Sequence, residues 1–424
     1  MKNLIFILVI VPTFLFSQGW EKTYQYGTGY SVEQTSDGGY IVIGTGATST
    51  SCIYMIKTDN LGDTLWTKHY NLNERELFCS GIQTSDGGYI ITGLTTKPYP
   101  VLDNIFLLKT DSNGDSLWSH EYGENKDDIG LSVQQTTDGG YVVIGRTESF
   151  SETRDVYLIK TDSLGEVIWD KTFGDDHENS GRSVIQTSDN GFFLATNTMI
   201  FGSGFSWIDL IKTDSVGNIE WTTTFDNEDD DAARSAQLTN DGGFIITGLS
   251  EADNNISDVL LLKTSENGDI EWVRTYGDRE LIERGNCVQQ TTDGGYVIVG
   301  SKETADNDFD VYLIKTDSYG DTLWTRTFGG DNGDSGRWIE QITDGGYIIT
   351  GEYQDDNDVL HVCLVKTDAN GLIMHTSEIP FISPNRNLVK TIDLSGREIS
   401  KPQKNQPYIE IYDDGTTQKK IRLK

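Results

Sequence analysis

Carboxylates crowd the connections of this chain: Glu124, Asp127 and Asp128; Asp175, Asp176 and Glu178; Glu228, Asp229, Asp230 and Asp231; Asp331 and Asp334. Gathered round one mouth, such acids would form a negative funnel that concentrates cations, calcium above all; spread over separate loops, they only keep a surface solvated. Two carboxylates about 5 Å or roughly 7–9 Å apart could carry glycoside hydrolysis, although spacing along the chain selects no pair. Arginine recurs at Arg182, Arg234 and Arg337, and an aspartate or asparagine recurs at Asn104, Asp155, Asp258 and Asp310. Bidentate arginine–carboxylate pairs between neighbouring repeats are the expected use of these residues, with a substrate-anion site as the other reading. The run Asp111-Ser112-Asn113-Gly114-Asp115 matches the start of a calcium loop, but its counterparts carry Leu61, Leu164, Val216 and Tyr319 at the third position. Those side chains cannot ligate a metal, so a hairpin turn is the better account, and no cofactor is expected beyond a calcium ion that the acids could gather. Five dispersed histidines, at 69, 120, 177, 361 and 375, accompany no serine or cysteine nucleophile motif. Aromatics on connections, among them Tyr99, Phe150, Phe201, Phe205, Trp207 and Tyr353, could stack on sugar rings or anchor loops. The segment from Asn197 to Ile208 is the most apolar of these connections and is the expected contact surface.

What must position these residues is a repeat. The turn aspartates Asp37, Asp86, Asp138, Asp189, Asp241, Asp293 and Asp344 recur in steps of 49 to 52 residues, and Lys57, Lys109, Lys160, Lys212, Lys263, Lys315 and Lys366 keep pace with them. Each copy holds four short runs rich in Val, Ile, Tyr and Thr, separated by Gly and Asp turns, which we label strands a to d. In the third copy these fall near Ser132–Thr136, Tyr141–Gly145, Val156–Thr161 and Val167–Phe173. Runs such as Tyr141-Val142-Val143-Ile144 are apolar on both faces, so one four-stranded sheet cannot stand alone and needs a neighbour on each side. Radial stacking into a seven-bladed β-propeller supplies both. Tryptophan recurs in strand d at Trp66, Trp118, Trp169, Trp221, Trp272 and Trp324, where it should wedge between blades. The seventh copy has His375 instead, while Gly19-Trp20-Glu21-Lys22-Thr23-Tyr24 stands alone before the first copy and is expected to complete the last blade. A glutamine repeated inside strand a, at Gln34, Gln83, Gln135, Gln186, Gln290 and Gln341, is expected to bond neighbouring backbone.

With 66 acidic and 33 basic residues, the net charge of −33 repels phosphate backbones and anionic lipid, which removes nucleic acid from the candidate partners. Lys2, an apolar run from Leu4 to Phe16 and the small Ser17 have the order of a secretory signal, so residues 1–17 are expected to be removed and the product to be secreted or held at the cell surface. No later segment approaches the roughly 20 apolar residues of a membrane-spanning helix. Cys52, Cys79, Cys287 and Cys363 lack metal-site spacing; Cys52 and Cys79 could pair across blades or remain buried thiols.

The block Lys160-Thr161-Asp162 through Gly165-Glu166-Val167-Ile168-Trp169 resembles the tryptophan-docking repeat of quinoprotein-type propellers, in which a tryptophan also follows a turn glycine by four residues. The resemblance spans residues 20 to about 379 and implies the fold without the quinone, because no vicinal cysteine pair or calcium carboxylate set stands at matching positions. Residues 380–424 differ in pattern. Val389 to Ile399, with its Asp393-Leu394-Ser395-Gly396-Arg397 block, then Tyr408-Ile409-Glu410-Ile411, and finally Lys419-Lys420-Ile421 are similar to the C-terminal sorting domain of type IX secretion cargo. That resemblance implies the type IX machinery as a partner. A basic hairpin attracted to an acidic propeller is the alternative.

The expectation is therefore an export signal (1–17), a seven-bladed propeller (18–379) and a sorting-type tail (380–424). The propeller would bind a glycan or protein without catalysis. A carbohydrate-active hydrolase or lyase and a structural spacer are the other readings.

Overall fold

The computed structural model describes residues 19–47, 51–98, 101–150, 152–200, 202, 205–227, 229–252, 256–277, 280–304, 308–373, 388–393, 397, 399, 407–412 and 417–421. The expected signal peptide, Phe201 and Glu228 lie outside them. The chain falls into two compact units, Met1–Ile373 and Met374–Lys424.

The larger unit is all-β. Blades 2 to 6 are each one four-stranded antiparallel sheet in chain order, as in blade 3, where Asp128–Gln135, Tyr141–Thr147, Asp155–Thr161 and Val167–Phe173 follow one another. Blades 1 and 7 share the long strand Trp20–Gln34. Its second half pairs with Tyr40–Ala47 as strand a of blade 1. Its first half pairs with Leu360–Thr367, in the register Trp20 to Lys366 and Thr23 to Cys363, and so supplies strand d of blade 7. The two ends of the propeller sequence thus meet in one sheet.

The core lies between blades. Strands b and c are buried on both faces, with Val142, Val143, Ile144, Leu158 and Ile159 all at 0% exposure, so each sheet gives one apolar face to each neighbour. Seven hydrophobic clusters result, one for each seam; Ile185, Phe193 and Leu210 of blade 4 join Phe244, Ile246 and Leu260 of blade 5 in one of them. The cluster of Val32, Tyr40 and Tyr54 with Ile348, Val362 and Leu364 seals blade 1 against blade 7.

Strand d is different: in Val167–Phe173 only alternate side chains are covered. Its tryptophan leans onto the next blade. Trp118 packs against the turn glycine Gly165 so closely that a Cβ there would meet the ring at 2.8 Å, and Trp66, Trp169, Trp221, Trp272 and Trp324 cover Gly114, Gly217, Gly268, Gly320 and Gly371 likewise. Trp20 covers Gly62, which extends the series across the closing seam. Each indole also meets the first aromatic of the next blade's strand b, as Trp20 does Tyr40 at 5.8 Å and Trp169 does Phe192 at 5.7 Å.

The hairpins are built by aspartate. In the a–b turns Asp37 accepts from the Thr35 hydroxyl at 2.7 Å, the Gly39 amide at 3.0 Å and the buried Lys57 ammonium at 3.0 Å. Partial burial would raise this carboxyl, but those three donors outweigh it and hold it at about 2. In blade 4 Asn190 takes the place of the turn glycine, with φ of 66°. In the c–d turn Asp111 accepts from the amides of Asn113 and Asp115 at 2.9 and 2.8 Å, so the calcium-like run closes a hairpin. All four cysteines are buried free thiols, which decides against a Cys52–Cys79 disulfide.

The smaller unit contributes a three-stranded antiparallel sheet, Leu388–Asp393, Pro407–Tyr412 and Thr417–Ile421, with Ile392 opposite Ile409 and Ile409 opposite Lys419.

Candidate functional site

Every strand a carries a register shift where it pairs with strand b. A β-bulge puts an extra residue opposite one partner and re-aims its side chain. Going round the ring, the bulged residues are Tyr30, Phe78 with Cys79, Leu131, Arg182, Arg234, Asn286 and Arg337. Apart from Cys79, which is buried, these side chains line a central cavity of about 630 Å³ walled by the strands a of all seven blades. The wall is split. Blades 1 to 3 present an aromatic, an aromatic and a leucine; blades 4 to 7 present three guanidinium groups and an amide.

The arginines are poorly compensated. Arg337 donates to Glu352 Oε1 at 2.6 Å, and Glu352 in turn accepts from the Thr28 hydroxyl at 2.8 Å. Among the described residues Arg234 reaches no carboxylate; it donates to Asn286 Oδ1 at 2.6 Å, and Asn286 is held by its own donation to the Gly336 carbonyl at 2.7 Å. Arg182 Nε is buried without a hydrogen-bond partner. Burial, and then the charges of Arg284, Arg182 and Arg337, lower Arg234 to about 10, which leaves it a cation at neutral pH. Burial and the nearby Arg146 lower Arg182 in the same direction. The expected bidentate arginine–carboxylate pairs between blades are therefore not formed. The bulge turns these side chains into the channel, while Asp155, Asp258 and Asp310 sit against Gly174, Gly277 and Gly329, just past strand d of their own blades.

Three residues further along strand a, four after Phe78, lies a second ring, of which Glu33, Ile82, Gln134, Gln237, Gln289 and Glu340 line the cavity while Ile185 is buried in the seam. Its polar members share one task. Glu33 Oε2 accepts from the Gln83 amide at 2.6 Å, Glu340 Oε2 from the Gln34 amide at 2.7 Å, and Gln134 Oε1 from the Gln186 amide at 3.1 Å, each reaching the next blade. Gln341 accepts from Thr292 at 2.8 Å and Gln34 from Thr343 at 3.0 Å, stitching in the opposite sense, as expected for the repeated glutamine. Burial pushes both Glu33 and Glu340 up to about 7; for Glu33 the neighbouring Glu340 adds to the rise. They are carboxyls of adjacent blades with general-acid pKa values, but each is engaged in the bond that an amide makes elsewhere in the ring.

The loop acids do not line this cavity. Asp128 turns inward and accepts from Ser149 Oγ at 2.6 Å; Asp334 accepts from the Gly330 amide at 2.8 Å; Glu76 accepts from the Asn73 amide at 2.8 Å. They fasten d–a connections to their own blades, so the throat is cationic where a negative funnel was one expectation. Asp175 accepts from His177 Nδ1 at 2.9 Å, and His177 stands edge-on to Trp207 at 5.3 Å. Glu178 pairs with Arg154 at 3.1 Å, Asp230 accepts from the Ser206 amide at 2.6 Å, Trp207 donates to Asp209 at 3.0 Å, and Tyr353 lies near His361 at 6.5 Å between centroids. Asp176 is solvated, and Asp229 is half-buried on its loop. Phe205, with Met199 and Ile200, makes a small exposed apolar spot on blade 4, where the contact surface was expected. Of the site residues read from sequence, the cavity gathers Arg182, Arg234 and Arg337; the rest stay on separate connections.

Sequence reasoning missed Tyr30, Phe78, Leu131, Asn286, Glu33 and Glu340. A signal existed, since the bulged residue stands between a small residue and Ser or Cys in Gly29-Tyr30-Ser31, Gly130-Leu131-Ser132, Gly181-Arg182-Ser183, Ala233-Arg234-Ser235 and Gly285-Asn286-Cys287. Among the described residues no group of three or more His, Cys, Asp or Glu is arranged to hold a metal ion.

No protein-family model matches the chain, and no curated protein matches it in sequence. Solved structures do resemble it. The BP39L lectin from Burkholderia pseudomallei aligns over 84% of this chain and 98% of its own with a TM-score of 0.52 at 9% identity. A protein of unknown function from Dyadobacter fermentans aligns over 83% and 98% with a TM-score of 0.50 at 9% identity. Prolyl oligopeptidase B from Galerina marginata, in its apo form, aligns over 94% of this chain and 56% of its own with a TM-score of 0.50 at 12% identity. At such identities the likeness concerns the fold, which is a β-propeller.

Proposed function

We propose that this chain is an exported propeller that binds a glycan or protein ligand outside the cell or at its surface, without catalysing a reaction on it. The observation that carries the reading is the central cavity of about 630 Å³, where seven bulged side chains of mixed chemistry converge from a rigid frame. A few placed polar groups beside apolar ones on a pre-formed concave wall are the usual make-up of a binding site. The solved lectin of like fold makes glycans the first ligands to screen.

Export would use residues 1–17, and residues 380–424 would engage a type IX machinery, in keeping with the signal-like start and the sorting-like tail. The hydrolase reading draws on one observation, the adjacent Glu33 and Glu340 raised to about 7. Against it, each carboxylate is engaged by a backbone amide.

A glycan and peptide array probed with the full chain, with and without a chelator, followed by product analysis on every hit, separates these readings. Chelator-independent binding with an unaltered ligand is expected. Released sugar, lost on E33Q or E340Q, would overturn the non-catalytic reading, and the absence of any hit would remove the binding one. Deleting 380–424 should leave the chain inside the producing cell; undiminished export would refute the sorting role.

A further inference from the structure

The cavity wall is more specific than a generic cleft. Arg182, Arg234, Asn286 and Arg337 occupy four consecutive blades, and Tyr30, Phe78 and Leu131 the other three, so the ring is divided into a cationic arc and an apolar arc facing each other. The chain has 66 acids against 33 bases, yet among the described residues the one ion pair of these three arginines is Arg337 with Glu352. These side chains are half-buried, and a partly desolvated cation with little counter-charge favours an anion beside it. The Nε atoms of Arg182 and Arg337 are both buried without a hydrogen-bond partner. Asn286 fixes the Arg234 guanidinium from the side and thereby presents the remaining donors to the channel. Guanidinium forks match oxyanions in a way that they match no neutral group. Opposite them, Phe78 is 42% exposed and held at φ of 56°, a left-handed conformation uncommon for a residue of its size.

We propose that the channel takes an amphiphilic organic anion, its oxyanion head held by Arg182, Arg234 and Arg337 and its apolar or ring-shaped body against Tyr30, Phe78 and Leu131. This deepens the binding reading and rests on it: the channel is the site, and the ligand class is a carboxylate, sulfate or phosphate ester carried on an apolar body. Glu33 and Glu340 lie three residues beyond this ring, and burial raises both.

Trp338 lines the cavity and provides a fluorescence reporter. The probes are 3-phenylpropionate, phenyl phosphate, phenyl sulfate, the neutral 3-phenylpropionamide, and inorganic phosphate alone, titrated into the full chain. The three oxyanion probes are expected to bind at least about tenfold tighter than the amide, the size of one charge-assisted hydrogen bond. Their rank identifies the head group. R182M and R234M should each weaken the oxyanion probes about tenfold and leave the amide unchanged. F78A should weaken the phenyl probes while sparing inorganic phosphate. Because R182M removes an uncompensated cation, its melting temperature without ligand should be no lower than that of the parent, which shows that the variant folds. Equal binding of amide and carboxylate, abolished by F78A, would refute the anion and leave the channel as the binding site. If neither these probes nor any array ligand binds, both readings fall together.

Discussion

Replacing Trp20 with alanine tests the closure of the ring, which is the physical premise of the cavity. Trp20 is half-buried between Gly62 and Tyr40, at the one seam where the two blades are joined through opposite ends of the propeller sequence. A tryptophan side chain in such a place removes of the order of 100 Å² of apolar surface from water, worth about 2.5 kcal/mol at 25 cal/mol/Å². The edge-to-face contact with Tyr40 adds about 0.5–1.5 kcal/mol, so W20A should cost about 3–4 kcal/mol. W118A removes an equivalent indole at a seam where the chain runs continuously from blade 2 to blade 3, and its equilibrium cost should be similar. The two differ in where the structure opens. In W20A the strand Trp20–Tyr26 can peel from Leu360–Thr367, so amides of residues 20–26, and those of 361–366 that face them, should exchange with solvent well before the rest of the propeller; in W118A they should not. Leu65, 58% exposed on strand d of blade 1, is the control, and L65A should change stability by less than about 0.5 kcal/mol. Urea denaturation gives the energies and hydrogen exchange gives the location. If W20A is no more damaging than L65A, or if exchange at 361–366 is unchanged, the ring is not closed by this strand and the cavity argument fails.

The carboxyls of the second ring make stability depend on pH. Glu33 and Glu340 are raised to about 7 in the folded chain, against 4.5 when unfolded, so the folded state holds protons that the unfolded state has released, and stability falls as pH rises from about 4.5 to 7. Each such shift amounts to about 3 kcal/mol, so E33Q, which keeps the acceptor, should be more stable than the parent at pH 8 and equal to it or weaker at pH 4.5. Urea midpoints at the two pH values decide it, and an unchanged difference between parent and variant would count against this account. The thiols of Cys79 and Cys287, pushed up to about 12 and about 11 by burial, should be silent to an aromatic disulfide reagent until the propeller unfolds, whereupon four thiols per chain should react. Prompt reaction of any of them in the folded protein would show that a seam is open.

How much of this was legible without coordinates follows from the range over which each feature is specified. Tyr141-Val142-Val143-Ile144 names a two-sided buried strand by itself, because water is excluded from both faces whatever the neighbours are. Asp138-Gly139-Gly140 names its turn, since the Gly139 amide bonds back to the Thr136 carbonyl at 2.9 Å within the same few residues. Trp20, stranded before the first repeat, announced where the circle would be joined, and the structure pairs it with Lys366. The arginines are another matter. Arg182 and its equivalents looked ready to pair with the strand c aspartates, and only the register of strand a on strand b decides otherwise: Gly181 and Ser183 face successive residues of their partner, Thr196 and Ala195, and Arg182 between them is displaced into the channel. Phe78 joins it there although its own neighbourhood, Leu77-Phe78-Cys79, lacks even the small-residue signal of the other blades.

Backbone pattern and turn chemistry act over a few residues and are written in the sequence of each blade, which is why composition and spacing alone determined the strands, the hairpins and the seams. The cavity is made by seven side chains about fifty residues apart, one from each blade, whose direction depends on a one-residue bulge and whose company exists only once the ring is closed. That convergence, and the unpaired positive charge it concentrates, was decided by the tertiary structure.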